Sequence, residues 1–287
     1  YEELKLANST IRINSNCLKI FLAWYKESSN YQVLSRLTPS DVESYYIKVL
    51  RGYGKGYRRS FQVTLRSFFD FCYERGHIKQ NLRFSVPVIH SYRFSDVPKK
   101  IEDTEAKKLI DGIDRSTASG KRAYAIVLIL YTYGVRGCQV RALKVKDIDW
   151  HKEEIHFPAA KNGKDLCLPL TTQVGNALLS YLKHARPMCR YKEVFLTLQA
   201  PVGPMTNLNY LMRSKMIPLG IKSPSIGSHC FRHGFVSLML KQGESLKHIT
   251  DLIGHKHIKT TFIYTKIDFC SLADVALDLP EVDYENI

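Results

Sequence analysis

The chain has 287 residues, of which 45% are hydrophobic, so it is long enough for two domains that each bury a core. Its 42 Lys and Arg against 27 Asp and Glu give a net formal charge of +15, which favours a polyanionic partner: nucleic acid or an anionic membrane. The seven cysteines are scattered without a CxxC pair, which argues against a disulfide framework and a cysteine-rich zinc site and indicates a reducing compartment.

The first part of the chain, residues 9–82, has the spacing of amphipathic helices. A first helix is predicted with Ser9 or Thr10 as its N-cap. A second is predicted within residues 37–50, because Thr38 is a strong N-cap residue and a proline follows it at the first helical position.

A third helix is predicted over residues 57–76, where it ends at a glycine. Arg58, Arg59 and Arg66 lie off its apolar side, and the basic excess of the chain favours phosphate contact by them over simple solvation. The residues expected on the buried side are Phe61, Leu65, Phe68, Phe69 and Cys72.

The regular pattern fails at residues 85–102, which include prolines and show no period, so this segment is interpreted as a linker. It separates a helical domain, residues 1–84, from a second domain, residues 103–267. The last segment, residues 268–287, carries six acidic side chains and no Lys or Arg, so it is expected to avoid an anionic partner.

The longest apolar run, residues 123–135, is too short to cross a bilayer comfortably and is interpreted as a buried helix that ends near Gly134. No signal peptide is visible, so neither secretion nor a membrane partner is expected.

A β-hairpin is predicted within residues 151–170, because apolar and polar residues alternate on both sides of the turn signal Asn162-Gly163. Lys161 and Lys164 lie at its tip. The chain after Asn176 is predicted to be mostly helical.

The stretch SHCFRHGFVS, residues 228–237, predicts a helix with Ser228 as its N-cap, which ends near Gly243. His229 and Arg232 are three residues apart and so share a face of this helix. Such polar groups are costly on a helix that otherwise has a core-like pattern, which suggests that they hold a ligand.

Other polar residues of the same chemical kind stand elsewhere in the second domain. Arg136 follows the apolar helix, His255 follows a helix that ends at Gly254, and Tyr264 comes nine residues later. Two arginines can hold a phosphodiester with bidentate hydrogen bonds, histidines can move protons, and a tyrosine can attack phosphorus to form a covalent phosphotyrosine.

In this order and spacing, the residues resemble the tyrosine recombinase family, which includes phage integrases and the Xer and Cre-type recombinases. The surrounding segments YGVRGCQVRALKVKDID and LIGHKHIKTTFIYTKID are also similar to that family, and the resemblance covers nearly the whole chain. The residues that carry it are Arg136, Lys161, His229, Arg232, Gly254, His255 and Tyr264.

The resemblance implies the reaction. Tyr264 would attack the scissile phosphate and form a 3′-phosphotyrosine, while Lys161 protonates the leaving 5′-oxygen. Arg136 and Arg232 would hold the phosphate. No metal or other cofactor is expected, because the covalent link conserves the energy of the broken bond.

The remaining implied roles belong to two histidines: His229 would assist the proton of the tyrosine, and His255 would hydrogen-bond the phosphate. The sequence departs from the family pattern at Gln139, where the family usually has an acidic residue. Lys164 remains an alternative to Lys161 as the acid.

The family also implies a fold and an assembly. The expected fold is mostly α-helical with a small β-sheet in the catalytic domain, and the two domains would form a C-shaped clamp around double-stranded DNA at specific sites. Leu272, Val275 and Leu279 in the acidic tail would dock on a neighbouring subunit of a homotetramer. A bacterial cytoplasmic protein, serving a mobile element with or without a directionality factor, is expected.

Four alternatives remain from the residues alone. Each polar residue could be an ordinary structural one, although that does not explain the ordered set. A zinc site at His229, His233, Cys230 and His255 is disfavoured because the motif lacks the glutamate of zinc proteases. A type IB-like topoisomerase or a non-catalytic DNA-binding protein of the same fold would retain these features.

Overall fold

The chain divides into two compact units, Tyr1–Ser95 and Asp96–Ile287. The computed structural model describes residues 6–28, 33–90, 98–160 and 164–254. The fold is mostly helical with one small sheet, which lies in the second unit, so the predicted fold class is confirmed.

Three long helices make up the first unit: α1 (Asn8–Ser28), α2 (Pro39–Lys48) and α3 (Lys55–Glu74). The predicted cap of the first helix is wrong. The helix already includes Asn8, so Ser9 and Thr10 lie inside its first turn and cannot be its N-cap.

The predicted start of α2 is confirmed. Thr38 Oγ1 accepts a hydrogen bond from the backbone N–H of Asp41 at 3.3 Å, and Asp41 Oδ2 accepts one from the backbone N–H of Thr38 at 2.9 Å. This reciprocal capping box satisfies two helix-end donors, and Pro39 occupies the first helical position.

The core of the first unit is aromatic. The ring of Phe21 makes edge contacts with Tyr45 at 5.0 Å and with Phe69 at 5.7 Å between centroids. Burial raises the pKa of Tyr45, which is therefore neutral at physiological pH. Of the predicted buried side of α3, Phe61, Leu65, Phe69 and Cys72 are buried, and Phe68 is half-buried.

The second unit is built around α5 (Ala118–Tyr133), which packs against α7 (Thr172–His184) and α9 (Ser228–Lys241). Most of α5 is buried, as predicted from its apolar sequence, and it ends at Gly134, whose φ is +57°. In the described ranges, no helix combines the length and the apolar content that a membrane crossing needs.

The other helices of the second unit are α4 (Asp103–Gly112), α6 (Gly137–Ala142), α8 (Asn209–Met216) and α10 (Leu246–Leu252).

The sheet has three antiparallel strands in chain order: β1 (Ile148–Asp149), β2 (Glu154–Phe157) and β3 (Leu166–Pro169). Strands β2 and β3 form the predicted hairpin, and β1 was not predicted. The predicted turn Asn162-Gly163 lies outside the described residues.

Two further predictions for the second unit are wrong. Residues 185–208 contain no helix, although the chain after Asn176 was expected to be mostly helical. Ser228 is the first residue of α9 rather than its N-cap, which is Gly227. The expected end of this helix is confirmed, since Lys241 is its last residue and the φ of Gly243 is +81°.

Candidate active site

Arg136 lies between two glycines that bring its backbone close to α9. A Cβ atom on Gly134 would lie 2.5 Å from the ring of Phe235, and one on Gly137 would lie 2.9 Å from Ser228 Cβ. Contacts this short mean that a side chain at either position would force a neighbouring group to shift. The segment that carries Arg136 therefore lies against the first two turns of α9.

Gln139 supports this segment from inside the protein. Its side chain is 1% exposed, its Oε1 accepts a hydrogen bond from the backbone N–H of Arg136 at 3.1 Å, and its Nε2 donates one to Pro158 O at 3.1 Å. One bond needs an acceptor and the other needs a donor. An amide supplies both, whereas an ionised carboxylate is an acceptor only.

Arg232 is 2% exposed and joins the ends of two helices. Its Nη1 donates to Gly134 O at 2.9 Å, and its Nη2 donates to Ile253 O at 2.8 Å. The next residue, Gly254, has a φ of +62° and lies so close to β3 that a Cβ there would be 3.1 Å from the Leu166 side chain. One guanidinium thus positions the segment before Arg136 and the end of α10, which packs on the hairpin.

One guanidinium nitrogen of Arg136 is buried from solvent. The residue is partly buried, and its Nη1 is inaccessible to solvent and has no hydrogen-bond partner within the described ranges. Leaving a buried charged donor unpaired costs about 1–3 kcal/mol or more. An anion with several acceptor oxygens, such as a phosphodiester, would satisfy it.

The two histidines of α9 have different environments. His229 is exposed, although it is only three residues from the buried Arg232, and its ring centroid is 6.5 Å from that of His233. Burial, together with the nearby His229 and Arg232, lowers the pKa of His233 to about 4, so this ring is neutral at physiological pH. Cys230 is buried and its thiol donates to Gly227 O at 2.9 Å, which directs it away from a shared metal site with these histidines.

Three predicted site residues, Lys161, His255 and Tyr264, lie outside the described residues. Lys164 is described and is exposed near the start of β3. The choice between Lys161 and Lys164 as the acid therefore stays a prediction.

The predicted DNA contacts of the first unit all lie on α3. Arg59 is exposed, whereas Arg58 is half-buried. Arg66 donates from Nη2 to Val86 O at 3.0 Å. Sequence reasoning missed this internal role of Arg66, because the partner is a backbone oxygen twenty residues away that no side-chain pattern marks.

The chain is similar to known integrases and recombinases. Residues 99–270 match the phage integrase family. The protein y4rA of Sinorhizobium fredii, whose name describes an integrase/recombinase, is 36% identical over 251 residues, which cover 86% of this chain and 61% of that protein. The chain thus spans about six tenths of the length of that relative. Tyrosine recombinase XerD of Listeria monocytogenes is 28% identical over 280 residues, which cover 95% of this chain and 93% of that protein.

Solved structures share the fold. The Tn1549 transposon integrase in complex with transposon right end DNA superimposes with a TM-score of 0.66 at 15% identity, covering 94% of this chain and 95% of that chain. The XerA recombinase has a TM-score of 0.53 at 23% identity, covering 96% of this chain and 92% of that chain. With the family match over the second unit, these similarities show that the chain belongs to the phage integrase family of tyrosine recombinases.

Proposed function

We propose that this chain is a site-specific DNA recombinase that cuts and rejoins strands through a 3′-phosphotyrosine intermediate and serves a mobile element. The observation that supports the proposal is that the segment with Arg136 packs against the helix that carries Arg232. Arg232 donates to two backbone carbonyls, and Arg136 has a buried guanidinium nitrogen without a hydrogen-bond partner among the described residues.

The proposed reaction exchanges one ester for another. Tyr264 Oη attacks the scissile phosphorus, the bond from phosphorus to the 5′-oxygen breaks, and a 3′-phosphotyrosine forms. The phenol proton passes to His229, and Lys161 or Lys164 supplies the proton that the 5′-oxygen takes up. Arg136 and Arg232 stabilise the charge that grows on the non-bridging oxygens. Reversal with a 5′-hydroxyl from another strand rejoins the DNA.

The state of His229 in the structure fits this role. Its exposure keeps its ring accessible to a substrate, whereas His233 behind it is held neutral by burial. His255, placed next to Gly254 by the sequence, would hydrogen-bond the phosphate.

The proposed partner is double-stranded DNA. The net charge of +15 favours phosphate contacts, and two structural relatives, the Tn1549 transposon integrase and the XerH recombinase, were solved with DNA. Wrapping of DNA by the two units as a C-shaped clamp is part of the proposal. Arg58, Arg59 and Lys164 are the contacts that we expect to be most sensitive to salt.

We extend the proposal to a homotetramer on DNA in the cytoplasm of a bacterium, with or without a directionality factor. The apolar residues Leu272, Val275 and Leu279 of the acidic tail would dock on a neighbouring subunit. Truncation after about Asp268 should then leave DNA binding largely intact and weaken strand exchange and assembly, with less tetramer in a native gel. Normal tetramers of the truncated chain would show that the tail does not mediate assembly.

The first test uses suicide duplexes, nicked near the cleavage point, that tile the DNA flanking the gene. A covalent protein–DNA band that survives EDTA and disappears in Tyr264→Phe is expected. The matched control is Tyr73→Phe, because Tyr73 is an exposed tyrosine of α3 and its variant should retain the band. A band that persists in Tyr264→Phe would refute the assigned nucleophile.

A second measurement, of strand joining between two duplexes and of relaxation of a supercoiled circle, separates recombination from its alternatives. A recombinase joins strands of two duplexes, whereas a topoisomerase of type IB relaxes one supercoiled circle without exchange. DNA binding with neither a covalent band nor relaxation on any duplex would favour the non-catalytic alternative.

A further inference from the structure

The outer face of the β2–β3 hairpin carries a group of metal-ligand side chains. His156 and Cys167 are directly opposed across the two strands, and Glu154 precedes His156 by two residues, on the same face. The alternate residues Ile155 and Phe157 are buried in the core, so the hydrophobic pattern holds the other three side chains toward solvent.

Two of the three separations between donor atoms are close to those around a tetrahedral ion. His156 Nε2 lies 3.5 Å from Glu154 Oε2 and 3.7 Å from Cys167 Sγ, and all three donor atoms lie within 4.8 Å of one another. Zinc–ligand distances of about 2.0 Å to nitrogen or oxygen and about 2.3 Å to sulfur give tetrahedral donor separations of about 3.3 Å for N···O and about 3.5 Å for N···S. The two contacts to His156 agree with these values within a few tenths of an ångström.

The third pair of donors, Glu154 and Cys167, also lies within 4.8 Å. The carboxylate can move toward an ion because its side chain is 40% exposed. A nearby cation, Lys152, has its own partner, since its Nζ lies 3.9 Å from Asp149 Oδ2. Solvent at this open face can supply a fourth, water ligand.

We propose that Glu154, His156 and Cys167 bind a divalent transition-metal ion of the zinc class. The metal forms bonds to one carboxylate oxygen, one imidazole nitrogen and one thiolate sulfur, and the thiol proton is released to solvent. The sequence predicted no metal site because Cys167 is distant from His156 along the chain, and only the strand register brings the pair together.

The ion would act as a cross-strand link. It would join β2 to β3 beside the pair Phe157–Leu166, the last pair before the connecting residues that include Lys161 and Lys164. This consequence rests on the proposed function: the link would fix the base of the hairpin that carries the general acid. Metal binding itself is measured without DNA, so its failure is distinct from failure of the recombinase assignment.

The test is a cobalt titration of the full chain, without DNA and with a phosphine reductant. One cobalt ion per chain should give the charge-transfer absorption of a cobalt–thiolate bond, and added zinc should abolish it. Cys167→Ser should remove the band, and His156→Ala should weaken cobalt binding at least about tenfold, which corresponds to about 1.4 kcal/mol.

The matched controls are Cys189→Ser and His151→Ala, because both residues are exposed and lie outside the cluster. These variants should keep the band and the affinity. Hydrogen exchange of the β2 and β3 amides should slow on zinc binding in the wild type and not in Cys167→Ser.

Two results would overturn the proposal. One is the absence of a cobalt–thiolate band in the wild type with cobalt in the millimolar range. The other is a band of equal intensity in Cys167→Ser, which would place the ion on another cysteine. Because the variants of Cys167 and His156 change exposed side chains, circular dichroism should show that each is folded.

Discussion

Gln139 joins two backbone segments through one buried side chain. The family pattern has an acidic residue here, and an amide takes its place between the backbone of Arg136 and Pro158. The segment leading from β2 supplies an acceptor to the amide nitrogen. The amide and this acceptor therefore form a matched pair, which an acid would break.

Replacing Gln139 with alanine leaves a buried N–H and a buried carbonyl unpaired. We expect the free energy of unfolding to fall by about 1–3 kcal/mol. Chemical denaturation measures the loss. Gln173→Ala is the control, since Gln173 is exposed on α7 and its truncation should change the free energy by less than about 0.5 kcal/mol. Equal effects of the two variants would contradict the supporting role of Gln139.

His233 makes stability depend on pH. Its pKa is about 4 in the folded chain, against about 6.5 for an unperturbed histidine. Between these values the unfolded chain binds more protons, so the free energy of unfolding should fall as pH decreases from about 6.5 to about 4. Denaturation across this range measures the slope.

The variant His233→Gln should flatten part of this slope, because glutamine does not titrate. His184→Gln should leave it unchanged, since His184 is exposed at the end of α7. An unaltered slope in His233→Gln would show that other groups cause the acid sensitivity.

At the scale of elements, the site depends on how closely the start of α6 approaches α9. A Cβ on Gly137 would lie 2.9 Å from Ser228 Cβ, an atom that side-chain rotation cannot move away. Helix α6 must therefore shift if position 137 gains a side chain, and Arg136 would shift with it.

We expect Gly137→Ala to lower the free energy of unfolding by about 1–3 kcal/mol and to slow cleavage about 100-fold. Gly56→Ala is the control, because no heavy atom lies within 4 Å of a Cβ added there. It should leave the free energy unchanged or raise it by up to about 1 kcal/mol. Normal cleavage by Gly137→Ala would mean that the contact does not position Arg136.

The elements that the sequence predicted well are those with strong local signals. The capping box of α2 and the apolar run of α5 are set by residues adjacent in the chain. Ser228 was misassigned because its side chain packs against Gly137, a tertiary contact that local patterns do not encode. The helix-free segment 185–208 was missed for a similar reason: Val194 and Phe195 within it are buried by distant elements, not by a helical period.

The site itself stays a prediction. Motif order selected its arginines from the sequence but did not predict their environments. No sequence pattern predicts that Arg232 donates to the carbonyls of Gly134 and Ile253, because every residue has a backbone carbonyl oxygen.

At the scale of the whole molecule, the chain contains separate hydrophobic cores. The core of the first unit lies between Cys17 and Val86, and the main core of the second begins at Ile101. Among the described residues, the two cores have no member in common.

A destabilising substitution in one core should therefore leave the stability of the other unit unchanged. Phe69→Ala should destabilise the first unit by about 3–5 kcal/mol and leave amide hydrogen exchange of α5 and α9 unchanged. Phe71→Ala, on the same helix with a side chain that is 49% exposed, should have little effect on either unit. Faster exchange in α5 on replacing Phe69 would show that the two units unfold together.

The two bonds of Arg232 have an electrostatic consequence. Its acceptors, Gly134 O and Ile253 O, lie at the C-terminal ends of α5 and α10, where the aligned peptide dipoles place partial negative charge. These dipoles stabilise a buried cation, yet a carbonyl carries no net charge, so the two bonds leave the full unit charge of the guanidinium in place. A carboxylate in their place would have cancelled that charge, so these two acceptors fix the guanidinium without neutralising it.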